Sequence, residues 1–199
     1  MDPRTLILMA GSTGLRKRLG TVLWQGSNDS SVTVTPGSTT YTVAGNSDGE
    51  QTYGDLLPAI TSTGFFLDVQ LETGYSNSPT RVAWLGVCNT TAAINSGTAP
   101  RPFTGWYWSG AMWYPGGETS STSALVAGDY RIALRTESGV NKIYFKRINS
   151  TLIRGPIDVP SGNLRLMIMG QGGFLLPVAT ILYSGAVFEG GGGLFSPTP

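Results

Sequence analysis

The chain has 199 residues, 28 of them Gly and 12 Pro, with 13% charged residues and a net charge of +1. It contains no histidine, which excludes Ser-His-Asp triads, Cys-His dyads and zinc sites of the usual kind, and a single cysteine, which excludes an intrachain disulfide framework. The near-neutral balance lacks the basic footprint of a nucleic-acid binder, and a chain of this size with no long 3.6-period stretch fits one all-β domain of many strands and turns.

In chain order, Met1 to Arg18 reads MDPRTLILMAGSTGLRKR. Its apolar run, which includes Leu6 and Leu8, follows Asp2 and precedes Arg16, Lys17 and Arg18. A secretory signal has the reverse charge order and a longer apolar core, so none is expected here. No other segment approaches membrane-spanning length, so membrane insertion is not expected. The basic cluster reads as a solvated stretch or, more sharply, as an arm that docks on a neighbouring subunit. From Thr21 the pattern turns strand-like: TVLWQG, then SVTVT, a Pro36-Gly37-Ser38 turn, and TTYTV. Residues 1–44 are thus expected to form an N-terminal arm with short strands, ahead of a β-sandwich domain at 45–189.

Gly45 to Gly54, GNSDGEQTYG, reads as a polar surface loop. It brings Asp48 and Glu50 near Asp55, but the spacing does not match a twelve-residue calcium loop with its closing Glu, and no metal or other cofactor is expected. Gly64 to Gly74, GFFLDVQLETG, is the clearest strand, with Phe65, Leu67, Val69 and Leu71 on one face and Phe66, Asp68, Gln70 and Glu72 on the other. Paired carboxylates do glycosidase work, yet Asp68 and Glu72 lie four residues apart, about 13 Å along a strand. A retaining pair needs about 5 to 5.5 Å and an inverting pair at most about 9.5 Å. Cys88, in the apolar run RVAWLGVC, reads as a buried small hydrophobe.

Ala99 to Gly117, APRPFTGWYWSGAMWYPGG, concentrates aromatic rings beside Gly and Pro turns. Flat rings of this kind offer a surface on which the apolar face of a sugar stacks, with Tyr O–H and Trp N–H groups at the edge. Trp106 and Trp108, two apart, also read as a core-facing pair. Trp113 and Tyr114, nearest the Pro115-Gly116-Gly117 turn, are expected to be exposed. The candidate ligand residues are Trp113, Tyr114 and Trp108, and Glu118 to Ser123, ETSSTS, reads as loop.

Two alternating runs between Gly128 and Ile153 flank Glu137-Ser138-Gly139 and announce an antiparallel hairpin. Asn163 to Met169, NLRLMIM, is apolar nearly throughout, so it is expected to be covered on both faces and to complete a three-stranded meander. Phe174 to Val187 is the last apolar segment. Residues 190–199 follow as a Gly-rich tail carrying the apolar pair Leu194 and Phe195, which reads as an assembly contact together with Leu6, Leu8, Arg16, Lys17 and Arg18.

The segments GFFLDVQLETG, RVAWLGVCN, FTGWYWSG, GDYRIALRTESGVNKIYFKRIN and LRLMIMGQGG resemble, in order and spacing, the strand succession of SPRY and concanavalin A-like domains over roughly residues 60–175. In those families a G-x-x-x-x-E-V-x-V strand leads to a V-G-V strand, and G-D opens a strand followed by a hairpin ending near F-x-x-N-G. Here Asp68 stands where Glu is common, Ser150 follows Asn149 in place of Gly, and the carboxylate triplet of the glycosidase members is absent. The resemblance implies an antiparallel β-sandwich (jelly-roll, concanavalin A-like/SPRY-like) with extended termini, and a binding role.

Sandwiches of this kind look like those on tailed-phage fibres, tail tips and capsid decoration proteins. The expected function is therefore that of a non-enzymatic virion structural or recognition protein, made in the host cytoplasm and placed in the virion. Its expected partners are copies of itself, other virion proteins and a host surface glycan. The alternative is a free carbohydrate-binding module or glycan-processing enzyme.

Overall fold

The computed structural model describes residues 22–44, 51–72, 82–92, 94, 99–120, 123–171 and 179–184. Within them the strands are β1 (Trp24–Ser27), β2 (Val32–Thr33), β3 (Thr42–Val43), β4 (Gln51–Leu56), β5 (Phe65–Leu71), β6 (Val82–Cys88), β7 (Phe103–Tyr107), β8 (Met112–Tyr114), β9 (Gly117–Thr119), β10 (Gly128–Glu137), β11 (Val140–Arg147), β12 (Ile153–Asp158), β13 (Arg165–Gln171) and β14 (Ala179–Ser184). A seven-stranded sheet runs β1-β4-β13-β6-β7-β8-β9 and a five-stranded sheet runs β12-β11-β10-β5-β14, while β2 and β3 form a small hairpin. The described strand pairs are antiparallel.

The hairpin read from the sequence is β10 and β11, paired without a break from Tyr130↔Arg147 to Glu137↔Val140. Its two turn residues, Ser138 and Gly139, have φ of 50° and 80°. Two left-handed residues twist a turn in the sense that the strands need. Tyr130, Ile132, Leu134, Ile143 and Phe145 then point into the space between the sheets and meet Leu85, Val87, Trp106, Leu166 and Ile168 from the other side. Alternation puts their neighbours on the outer faces.

Four expectations are corrected. The third strand of the meander is β12, not Asn163 to Met169; Gly155 and Pro156 interrupt the alternation of β12 and hide it in the sequence. The Asn163 to Met169 segment crosses to the other sheet as β13, between β4 and β6. Leu166, Met167, Ile168 and Met169 are all fully buried there, as their unbroken apolarity requires.

The polar segment ending at Gly54 is strand from Gln51 onward, and Gln51 and Thr52 are buried. Gln51 Nε2 donates to the carbonyls of Thr90 and Ala92, at 2.9 and 3.1 Å, so polar residues serve a central strand once they have partners. ETSSTS opens as the end of β9. The boundary expected at residue 44 is not a structural one, because β1 pairs with β4 and Trp24, fully buried, donates its indole N–H to the carbonyl of Ala179 on the far sheet.

Candidate functional site

Period-two alternation gives the seven-stranded sheet a second apolar face, away from the inter-sheet core. Trp84, Cys88, Phe103, Met167, Met169 and Ile94 are buried there, with Tyr107 and Trp113 packed against them. Register explains the arrangement. Met167, Gly86, Gly105, Trp113 and Glu118 are paired in one row across five strands, and Met169, Trp84 and Tyr107 in the next. The two glycines leave a shelf beside Trp113, and its ring reaches Trp84 at 5.4 Å, edge on at 73°. A Cβ on Gly86 would lie 2.0 Å from the carbonyl oxygen of Thr104, so only glycine allows β6 and β7 to approach this closely.

Tyr107 lies between Trp84 at 4.6 Å and Trp113 at 5.5 Å, and Trp108 continues the series at 6.3 Å from Tyr107. Trp108, Tyr107 and Trp113 are half-buried while Trp84 and Phe103 are buried, so the row runs from the interior out to solvent. Arg101 places its guanidinium 4.4 Å from the centre of the Trp113 ring and donates from Nη1 to the carbonyl of Gly117 at 2.8 Å. Glu118, directly across from Trp113, is exposed. Burial raises the pKa of the Tyr107 hydroxyl, against a hydrogen bond from the Trp108 side chain, and the charge of Glu118 raises it further. The indole nitrogens of both Trp84 and Trp113 are buried without an acceptor. These groups make a ring platform bordered by one cation, one carboxylate and a phenol.

The sequence-derived ligand residues divide between the two faces. Trp113 and Trp108 belong to the ring row. Tyr114 follows Trp113 on β8 and so shares the core side with Met112, where its ring lies by the Gly116-Gly117 turn. Trp106 is a core residue, whereas Trp108 sits in the turn after β7, so they are not a pair on one face. Tyr107, Arg101 and Glu118 were not singled out as ligand residues. The sequence signal for Tyr107 was its place between Trp106 and Trp108, on the opposite face of a strand from Trp106; Arg101 and Glu118 join only through sheet register and loop geometry.

Cys88 is fully buried, and its thiol is pushed up to about 11, chiefly by burial, although Sγ donates to the carbonyl of Thr90 at 3.2 Å. It is a small hydrophobe, as its apolar run implied. Asp55 Oδ2 accepts from the backbone N–H of Leu23 at 3.2 Å, whereas Asp48 and Glu50 lie outside the described residues. So do Leu6, Leu8, Arg16, Lys17, Arg18, Leu194 and Phe195. Among the described residues no group of three or more Cys, Asp or Glu side chains is placed to hold a metal, and no helix is long and apolar enough to cross a membrane.

No protein-family model matches the chain, and no curated protein matches it in sequence. Among solved structures, the SPRY domain of human HERC1 matches with a TM-score of 0.55 at 18% identity, over 79% of this chain and 98% of that one. A functionally unknown protein from Saccharomyces cerevisiae matches at 0.48 and 15% identity, over 87% and 100%. The exoplasmic/lumenal domain of VIP36, in a Ca2+/Man-bound form, matches at 0.41 and 10% identity, over 88% and 87%. The architecture is an antiparallel β-sandwich with the fold of the SPRY domain.

Proposed function

We propose that the chain is a non-enzymatic recognition module whose ligand is a glycan, bound on the outer face of the seven-stranded sheet. The observation that carries this reading is the row Trp108, Tyr107 and Trp113, half-buried and bordered by Arg101 and Glu118. A sugar has an apolar face and a rim of hydroxyls. Rings take the first, while a guanidinium, a carboxylate and a phenol take the second. The carboxylates of the Gly64 to Gly74 segment support a binding reading over a hydrolytic one: Asp68 is held by Arg131, and Glu72 Oε1 accepts from Thr180 Oγ1 at 3.0 Å. A multivalent glycan array is the test. Signal lost on Trp108→Ala with the fold intact supports the reading, and signal indifferent to Trp108 and Trp113 overturns it.

The particle we propose for this module is a virion, with the chain as a tail-fibre, tail-tip or capsid decoration subunit of a tailed phage. The support is in the sequence: an apolar run at one end and Leu194-Phe195 on a Gly tether at the other, which gain about 1.5 to 3 kcal/mol per large side chain when buried in a neighbour. Contacts of that size accumulate when they repeat around a symmetric assembly. Removing residues 1–18 and 190–199 from the chain should leave a folded sandwich that no longer assembles. Normal assembly by the truncated chain would favour a free carbohydrate-binding module.

A further inference from the structure

Among the described residues, the inter-sheet core contains one charge without a matching carboxylate. Arg154 stands on β12, the edge strand of the five-stranded sheet, across from the core residue Phe145. It therefore points inward, and its guanidinium lies 5.6 Å from the centre of the Trp106 ring. An inward charge on an edge strand discourages pairing with a second chain, which accounts for an arginine at this position but not for the state of its head group. Nε and Nη2 are both buried, and neither has an acceptor. The residue as a whole is only half-buried, so part of it reaches solvent at the sheet edge. Burial lowers its pKa, with no partner acting in the other direction.

The same protein shows how such a group is satisfied. On the outer face of the five-stranded sheet, Arg131 uses Nε and Nη2 to hold the two oxygens of Asp68, each at 2.7 Å. That pair of nitrogens is the fork that matches a carboxylate. In Arg154 the corresponding fork is unfilled. Asp158, on the same strand, is committed to Lys142, and the Trp106 indole N–H is directed to the carbonyl of Ser123 at 3.1 Å.

We propose that the Nε/Nη2 fork of Arg154 is a binding site for a carboxylate, entered at the sandwich edge where β12 runs beside β8. Leaving two guanidinium N–H groups buried without acceptors is costly, and a bidentate carboxylate removes that cost through two charge-assisted hydrogen bonds. The site stands apart from the ring platform, because Arg154 faces the inter-sheet side and Trp113 the outer side.

Nitrogen-15 NMR of the arginine Nε–H groups in the full chain tests this directly. The Arg154 signal is assigned by its disappearance in Arg154→Lys. One arm titrates sodium glutarate and the other the capped tripeptide acetyl-Leu-Glu-Leu-amide, with the Gln tripeptide and sodium chloride at matched ionic strength as controls. We expect a saturable shift of the Arg154 signal with one or both carboxylate probes and none with the controls. Saturation by glutarate identifies a free carboxylate as sufficient; saturation by the Glu tripeptide alone identifies an acidic side chain with apolar flanks. In Arg154→Gln, affinity for the active probe should fall about tenfold or more. If that variant does not fold, the wild-type titration and a rise in wild-type Tm with the same probe decide the matter. Overlapping titrations for carboxylate and control, or no shift with either probe, overturn the proposal.

Discussion

Arg131 and Asp68 face each other across β10 and β5 and are joined by two parallel hydrogen bonds, with the guanidinium stacked 3.8 Å from the centre of the Phe66 ring. Their side chains keep only 21% and 11% of their exposure, so water does little to weaken the pair. Asp68→Asn removes the charge and one acceptor while leaving Arg131 in place, and it should lower stability by about 1.5 to 3 kcal/mol. Urea unfolding of the two proteins measures this. If the chain is the non-enzymatic module proposed above, incubation of the wild-type chain with a panel of polysaccharides should release no reducing ends.

Trp108 is half-buried in a turn and lies at the solvent end of the ring row. Trp108→Ala should weaken glycan binding by about 1 to 2 kcal/mol, which is roughly 5- to 30-fold in Kd. Calorimetry with a multivalent glycan reads this directly. Trp113→Ala removes the neighbour of Trp84 as well as a stacking ring, so it should cost both affinity and thermal stability.

Gly86→Ala is expected to be among the most damaging single-methyl changes in the chain. The added Cβ would meet the Thr104 carbonyl oxygen at 2.0 Å and the Gly105 Cα at 2.6 Å, both backbone atoms that move only with the strand. A loss of about 3 kcal/mol or more is expected, seen as a large fall in Tm or as insoluble expression. Gly139→Ala, with φ of 80° but no atom within 4 Å of the new methyl, should cost much less.

On the outer face of β10 and β11, the Tyr144 hydroxyl and Arg135 both hydrogen-bond to Glu137. The Tyr144 hydrogen bond is the largest influence holding the Glu137 carboxyl below its ordinary value, and Arg135 adds to it. A carboxylate with a depressed folded pKa contributes stability that is present above its unfolded pKa, about 4.3, and is lost as pH falls through the folded value. Tyr144→Phe should therefore narrow the difference in Tm between pH 7 and pH 3. A difference unchanged from wild type would show that Glu137 gains nothing from Tyr144.

Composition and alternation determined the class of fold. Glycine-rich, strand-patterned sequence with no long helical period dictates stacked sheets, and Phe65 to Leu71 and the 128–147 hairpin were legible because period two is written in a single segment. The sequence also marked 99–117 as the aromatic stretch. What it did not carry is which segments lie beside each other. Leu166 to Met169 reads the same whether it closes a meander or crosses to the far sheet, since either place buries both of its faces. Gln51 and Thr52 read as loop because their partners, the carbonyls near Thr90 and the side chain of Ser27, come from distant segments. The ring platform has the same origin. Trp113, Gly105, Gly86 and Met167 form one row only after four strands pair in register, and register is fixed by inter-strand hydrogen bonds and by which face each strand buries, not by the order of residues in any one of them.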